Sequence, residues 1–446
     1  MAESKFYYPQ DFNLESVDII TDTGKVYKLK ELVMELSFFE DIYSFACSGQ
    51  VVLRDAVGII EGLQLDGSEY IKIGFSKSKS EDVSDKNIRT YRLYKVGIRK
   101  PAGNKSTEFY TMYFCAEELL LSEQLKISKS YKGMSVSNII NSILLDEENG
   151  LNVPYSRIKE IQDTYGVYDF IVPKLKPFEA ISWLSTYARP NDNGGADMVF
   201  FETNDGYYFK SIQSMFDQRP LTTYSYQPSN LNFKNKAENA FNIIDYEFVK
   251  TYDSLKATSA GIYASRLVTI DPLTRKKTVT DFSKDNLDGY SASGSPMNRF
   301  GKKQTEMFES SFKLAFSNSN QKNNEYINQS QSDVSKDVFV ETYVPSRTAQ
   351  MALSNYTVMK AIIPGDSFIT AGKTVNIEIN SMSTQGDAQN QQKKLDEYAS
   401  GVYLITAVRH IIQTQGVYQT VLELAKQSLK QSYKTQSTTY SGYLDA

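Results

Sequence analysis

Near the C-terminus, two runs rich in β-branched and aromatic residues, Val402 to Ile412 and Val417 to Ala425, flank the polar Gln413-Thr414-Gln415-Gly416. Such runs around a short polar break predict a β-hairpin, because successive side chains of a strand point to opposite faces. A looser copy lies some three hundred residues earlier, where Tyr91 to Arg99 and Phe109 to Ala116 flank Lys100 to Glu108. Setting Ala116 against Ala425 brings Phe109 onto Tyr418, Thr111 onto Thr420, Tyr113 onto Leu422 and Cys115 onto Leu424, with Ile98-Arg99 where Val408-Arg409 stands. Each hairpin also follows a Gly and an alternating strand: Gly67 before Ile71, Ile73 and Phe75, and Gly372 before Val375, Ile377 and Ile379. The pattern predicts a duplicated β-module.

In chain order, Ser16 to Thr21 and Val26 to Leu29 predict strands around Asp22-Thr23-Gly24-Lys25, and Leu32 to Phe39 with Gln50 to Leu53 a second pair. The period changes after Gly133. Val136, Ile139, Ile140, Ile143 and Leu144 share one helical face, with Ser135 placed as N-cap. A second helix is predicted from Pro177 to Arg189, stopped by Pro190. Met198 to Thr203 and Tyr207 to Ser211 alternate around Asn204-Asp205-Gly206, a strong hairpin signal. Strand character returns at Phe241 to Val249, Tyr263 to Ile270 and Arg275 to Val279. From Asn318 to Lys336 the apolar residues are too few to offset the entropy of ordering a packed domain, so 282–345 reads as an extended arm or linker. Its Phe308, Phe312 and Phe316 suit either docking or a short helix folded back on its own domain. Strands resume at Tyr356, and 429–446 reads as a loose tail.

With 446 residues the chain is long enough for roughly three domains of ~150 residues. The 31 Tyr and 24 Phe against one Trp favour strands and half-wet interfaces, so the expected class is β-rich α+β. Charge is nearly balanced, 49 basic against 53 acidic, and basic runs such as Arg275-Lys276-Lys277 are short, which excludes the basic stripe of a nucleic-acid binder. Cys47 and Cys115 sit in strand-like runs and read as buried thiols made in a reducing compartment. No apolar run approaches the ~18 residues of a membrane span, and no membrane anchor is expected.

Catalytic constellations fail on spacing. His410 is the sole histidine and lies on an alternating strand, a structural position. Gly372-Lys373-Thr374 resembles the end of a phosphate loop, but Ser367 stands where Gly is needed and a strand follows. Asn286, Asp288 and Gly289 hint at a calcium loop, yet Lys284 and Ser295 occupy ligand positions. No cofactor, metal or catalytic residue is expected.

The runs SFFEDIYSFACSGQVVLRDAVGI (37–59), KISKSYKGMSVSNIINSIL (126–144), PFEAISWLSTYA with DMVFFETNDGYYFKSI (177–212), GIYASRLVTIDPLTRK (261–276) and the closing hairpin resemble, in order, the central baseplate hub protein of contractile-tailed bacteriophages, which is similar to the hub portion of type VI secretion spike proteins. The resemblance implies two tail-tube-like β-barrels, one at 1–116 and a discontinuous one at 226–281 and 346–428, around an α+β middle domain at 117–225. It further implies a homotrimer in the virion tail baseplate, assembled in the host cytoplasm. Its partners would be a hexameric tail tube protein, a trimeric central spike protein and other baseplate proteins, with DNA passing through without specific binding. Interface contacts are expected from Phe39, Glu40, Asp41, Tyr43, Arg54, Asp55, Phe308, Phe312, Phe316 and Tyr418. The bore is expected to carry more acidic and hydroxyl or amide side chains than Lys or Arg, with Lys373, Lys393 and Lys394 turned elsewhere or paired. A virion-associated cell-wall hydrolase and a glycan- or receptor-binding tail protein stand as alternatives.

Overall fold

The computed structural model describes residues 13–427 except 64, 77–85, 102, 104–106, 192–195, 227–240, 252, 273–274, 287–300, 302–305, 309–310, 317–339, 382–394, 397 and 414–416. The polar break after Gln413, most of the expected arm and the expected tail therefore lie outside the described residues.

Seven strands come first: β1 (Asn13–Ile20), β2 (Val26–Lys28), β3 (Val33–Asp41), β4 (Ser48–Asp55), β5 (Tyr70–Ser76), β6 (Lys86–Pro101) and β7 (Glu108–Cys115). In space they run β3-β4-β7-β6-β5, followed by β1 and β2. Alternate residues point inward, and Leu36, Phe38, Val51, Leu53, Ile71, Ile73, Met112 and Phe114 make one core.

The middle of the chain holds β8 (Ile127–Met134), β9 (Ile158–Ile161), β10 (Tyr168–Leu175), β11 (Met198–Thr203) and β12 (Gly206–Ser211), with helices Val136–Leu145 and Pro177–Ser185 between them. The first helix forms as its spacing predicts. Val136, Ile139, Ile140, Ile143 and Leu144 are all buried, and the Ser135 hydroxyl accepts the Asn138 N–H at its open end. The second helix stops at Ser185, not Arg189, because Thr186 and Tyr187 donate to the carbonyls of Trp183 and Leu184, an i−3 pattern that tightens the last turn.

The remaining strands are β13 (Thr223–Tyr226), β14 (Asp245–Lys250), β15 (Ala264–Ile270), β16 (Lys277–Ser283), β17 (Phe312–Phe316), β18 (Thr357–Pro364), β19 (Thr374–Ile379), β20 (Gly401–Gln413) and β21 (Val417–Lys426). Five of them stand in the order β14-β18-β21-β20-β19, the order of β3-β4-β7-β6-β5. Even the bulges correspond: β6 skips Tyr94 between Leu93 and Lys95, and β20 skips Thr406 between Ile405 and Ala407. Leu93 and Ile405 then make matching bonds, their N–H groups donating to the carbonyls of Glu69 and Lys373. The repeat anticipated in the sequence is therefore present, with its register corrected. Phe114 corresponds to Leu424 and Met112 to Leu422, one residue from the alignment on Ala116 and Ala425, and Val96 corresponds to Val408. Inward parity forces this, since a one-residue slip would turn every core side chain to the other face.

The two modules join edge to edge. Beyond its bulge, β20 leaves β19 and pairs antiparallel with β3, from Ala407 opposite Asp41 to Gln413 opposite Glu35. One sheet of thirteen strands results, and no closed barrel forms among the described residues. The β-rich α+β class expected from the pattern holds. Between β14 and β18, where the first module has only the turn 42–47, the chain inserts a three-stranded sheet ordered β16-β15-β17 and the helix Val340–Ser354.

The junction between modules and the candidate assembly surfaces

At the inward-facing positions of the β20–β3 seam stand two titratable groups, Glu40 and His410, which line one small cavity with Phe38, Cys47, Tyr91 and Thr370. The Glu40 carboxylate accepts the Asn204 N–H at 2.7 Å and the Ala371 N–H at 3.0 Å. It therefore ties the first module to the β11–β12 turn and to the loop before β19. Burial pushes its pKa up to about 7, against the two backbone bonds that favour the charged form. Burial drives His410 the other way, down to about 4, with Nδ1 facing the Tyr418 hydroxyl at 3.1 Å and the Thr420 hydroxyl at 3.3 Å. His410 is thus a core residue, as its strand position implied.

A second polar knot lies between the first module and the middle domain. Glu202, at an inward position of β11, receives both Arg89 from β6 and Arg157 from the turn before β9. Its second oxygen accepts the Cys47 N–H at 2.7 Å, and Arg157 also reaches Glu118 at 2.9 Å. A carboxylate in this setting is held by two guanidiniums and a backbone donor, which is what a buried charge requires. Against the second module the same strand β11 offers apolar groups instead, Val199 and Phe201, which share a core with Ile212, Met215, Ile377 and Leu404. Cys47 and Cys115 are free and buried, and burial pushes both thiols up.

The residues expected at interfaces divide sharply. Glu40, Asp55 and Tyr418 are buried in the single chain and make contacts within it. Asp55 accepts the N–H groups of Val57, Gly58 and Ile59 and the Tyr110 hydroxyl. Tyr418 packs over Gly365, where a Cβ would lie 2.1 Å from its ring. Phe39 is half-buried beneath the Arg409 guanidinium, 5.3 Å from the ring centroid, and Asp41 caps the following turn through the Tyr43 N–H. Tyr43 and Arg54 are exposed, Tyr43 accepting from the Asn355 side chain at 3.1 Å. Phe308 is half-buried. Phe312 and Phe316 are exposed on β17, a strand rather than a helix, and together with Leu314 and with Val279 of β16 form an apolar face of the inserted sheet. Of the lysines expected away from the bore, Lys373 is half-buried and Lys393 and Lys394 lie outside the described residues. Glu40, Glu202 and Arg89 escaped notice as junction residues. Their sequence signal is a charge at an inward position of an otherwise apolar strand.

A second unspent surface lies on β6. Beyond its bulge the strand pairs only with β7 among the described residues, and Tyr94, Val96 and Ile98 are 46%, 36% and 62% exposed.

No family model matches the chain. It is 23% identical over 390 residues to the probable baseplate hub protein gp334 of Vibrio phage KVP40, covering 85% of this chain and 86% of that one. Its fold matches that of a tail protein from Neisseria meningitidis MC58 with a TM-score of 0.50 and 10% identity, over 93% of this chain and 97% of that one. An E. coli component of the type VI secretion system matches with a TM-score of 0.39 and 9% identity, over 88% and 73%. The resemblance to baseplate hub proteins read from the sequence is borne out by this relative.

Proposed function

We propose that the chain is the trimeric hub that adapts a six-fold tail tube to a three-fold central spike, and that DNA passes through its ring without being gripped. The observation that carries this reading is the repeated strand order, β3-β4-β7-β6-β5 and β14-β18-β21-β20-β19, joined edge to edge within one chain. Three copies would then present six alike modules on one side while keeping three-fold symmetry on the other, and cyclic closure would hide the strand edges that a single copy leaves open. The two modules act as tube-like units, the middle domain buttresses both through β11, and the inserted sheet offers its apolar face to a neighbouring tail component. Near-neutral charge suits passage, because each phosphate neutralised by a lining cation would strengthen retention of DNA. The mass of the native assembly, measured by light scattering alone and with its spike partner, tests the proposal. Three copies are expected, and a monomer under both conditions would overturn it.

A further inference from the structure

Equivalent connections of the two modules grip one helix from opposite ends. In the first module the turn 42–47 joins β3 to β4, and in the second the inserted sheet and the helix Val340–Ser354 join β14 to β18. The helix they share is Pro177–Ser185 of the middle domain. At its N-terminal end Phe178 stacks on Phe45 of the turn, with ring centroids 5.5 Å apart, and the adjacent Ala46 joins the middle-domain core. At its C-terminal end Arg347 of the inserted helix donates through one guanidinium nitrogen to the Ser185 carbonyl at 3.2 Å and the Ala196 carbonyl at 2.7 Å. A cation placed there also meets the negative pole of the helix. Tyr343, one turn before Arg347, sets its ring 6.2 Å from that of Tyr187, just past the helix end. The inserted helix is in turn fastened to its own sheet, where Glu341 accepts the Thr269 hydroxyl at 2.6 Å and Leu353 shares a core with Ile262 and Tyr263.

We infer that the helix Pro177–Ser185 is a relay. A load on the inserted sheet, whose apolar face carries Phe312, Leu314 and Phe316, passes through Arg347 and the helix to the turn 42–47, and so to β3 and β4. Close-packed interiors compress little and therefore transmit strain. The nine residues of the helix span about 13 Å. Substitutions ordinarily influence one another only within roughly 7–10 Å, so a response at one end to a change at the other requires the connection itself. The relay needs no second copy, and it stands or falls apart from the ring proposed above.

A shorter route has to be closed before the relay is tested. Asn355, at the end of the insertion, donates to the Tyr43 hydroxyl at 3.1 Å, so the reference protein is the full chain carrying Asn355→Ala. Hydrogen exchange is followed in 42–47 and in Val340–Ser354. In that background Arg347→Met is expected to speed exchange in 42–47 about tenfold, and Phe45→Ala to do the same in Val340–Ser354. Arg347→Lys should restore most of the protection of 42–47, because one nitrogen makes both bonds and an ammonium can replace it. Arg347→Met combined with Phe45→Ala should exchange no faster than the faster single variant, since both cut one connection. Ser135→Ala, at the neighbouring helix Val136–Leu145, should change neither segment. Acceleration confined to the substituted end, or factors that multiply in the combined variant, would overturn the relay. So would equal acceleration in β1 and β5, which marks a general loss of stability.

Discussion

The two modules share strand order and bulge position, yet the middle domain holds them by different means. Against the first it sets Glu202 between Arg89 and Arg157, and against the second Val199 and Phe201. Both contacts come from β11, whose alternating faces look into different surroundings. An apolar contact tolerates small displacements, whereas a buried ion pair does not, because losing its partner strands a desolvated charge. The strand β11 thus meets the first module through a buried charge and the second through packed volume.

Removing either contact should have the largest effects. Glu202→Ala leaves two guanidiniums without their common acceptor and is expected to cost about 3–5 kcal/mol of stability. Phe201→Ala, which empties a fully buried site in the other contact, is expected to cost a similar 3–5 kcal/mol. Urea unfolding of the two variants separates the mechanisms. Arg89→Met combined with Glu202→Leu should restore part of the first loss, and no charge change should restore the second; equal behaviour would erase the distinction.

The seam between modules should respond to pH, with two opposing slopes. Glu40 has a folded pKa near 7 and an unfolded value of 4.5, so its contribution is full below 4.5 and is lost as pH rises through 7. His410 has a folded pKa near 4 and an unfolded value of 6.5, so its contribution is full above 6.5 and is lost as pH falls through 4. Around Glu40 stand Asp205 and Arg89, and near His410 stands Asp366. Each group amounts to about 3 kcal/mol, and in the native chain the two nearly cancel between 4.5 and 6.5. His410→Gln should expose a stability that falls as pH rises over 4.5–7, and Glu40→Gln one that rises with pH over 4–6.5. Parallel pH profiles for the two variants would contradict both assignments. The smallest expected effect is local: Ser135→Ala removes the cap of Val136–Leu145 and should cost about 1 kcal/mol, read by thermal unfolding.

Local periodicity carried most elements into view. Ile139, Ile140 and Ile143 declared their helix, and the Asn204-Asp205-Gly206 turn declared its hairpin, because both depend on neighbours in sequence. The strand β17 shows the limit. Phe308, Phe312 and Phe316, four residues apart, fit a helical face and also every second outward position of a strand, and only Leu314 between them favours the strand. The repeat was legible but its register was not, since matching Ala116 to Ala425 at the strand ends ignored which face each side chain takes, and a slip of one residue exchanges the faces. The seam itself had no signature at all, because strand edges pair through backbone groups common to every residue.

The β20–β3 seam also sets a timetable. Arg409 bonds Glu35 across 374 residues of sequence, so at about 5–20 residues per second the ribosome delivers β20 about 20–75 s after β3. Throughout that interval the outer edge of β3 lacks its permanent neighbour. The newborn first module must therefore wait, half finished, in a crowd of identical nascent chains whose own β20 strands would fit it equally well, which makes exchange of this hairpin between copies the characteristic error of its synthesis.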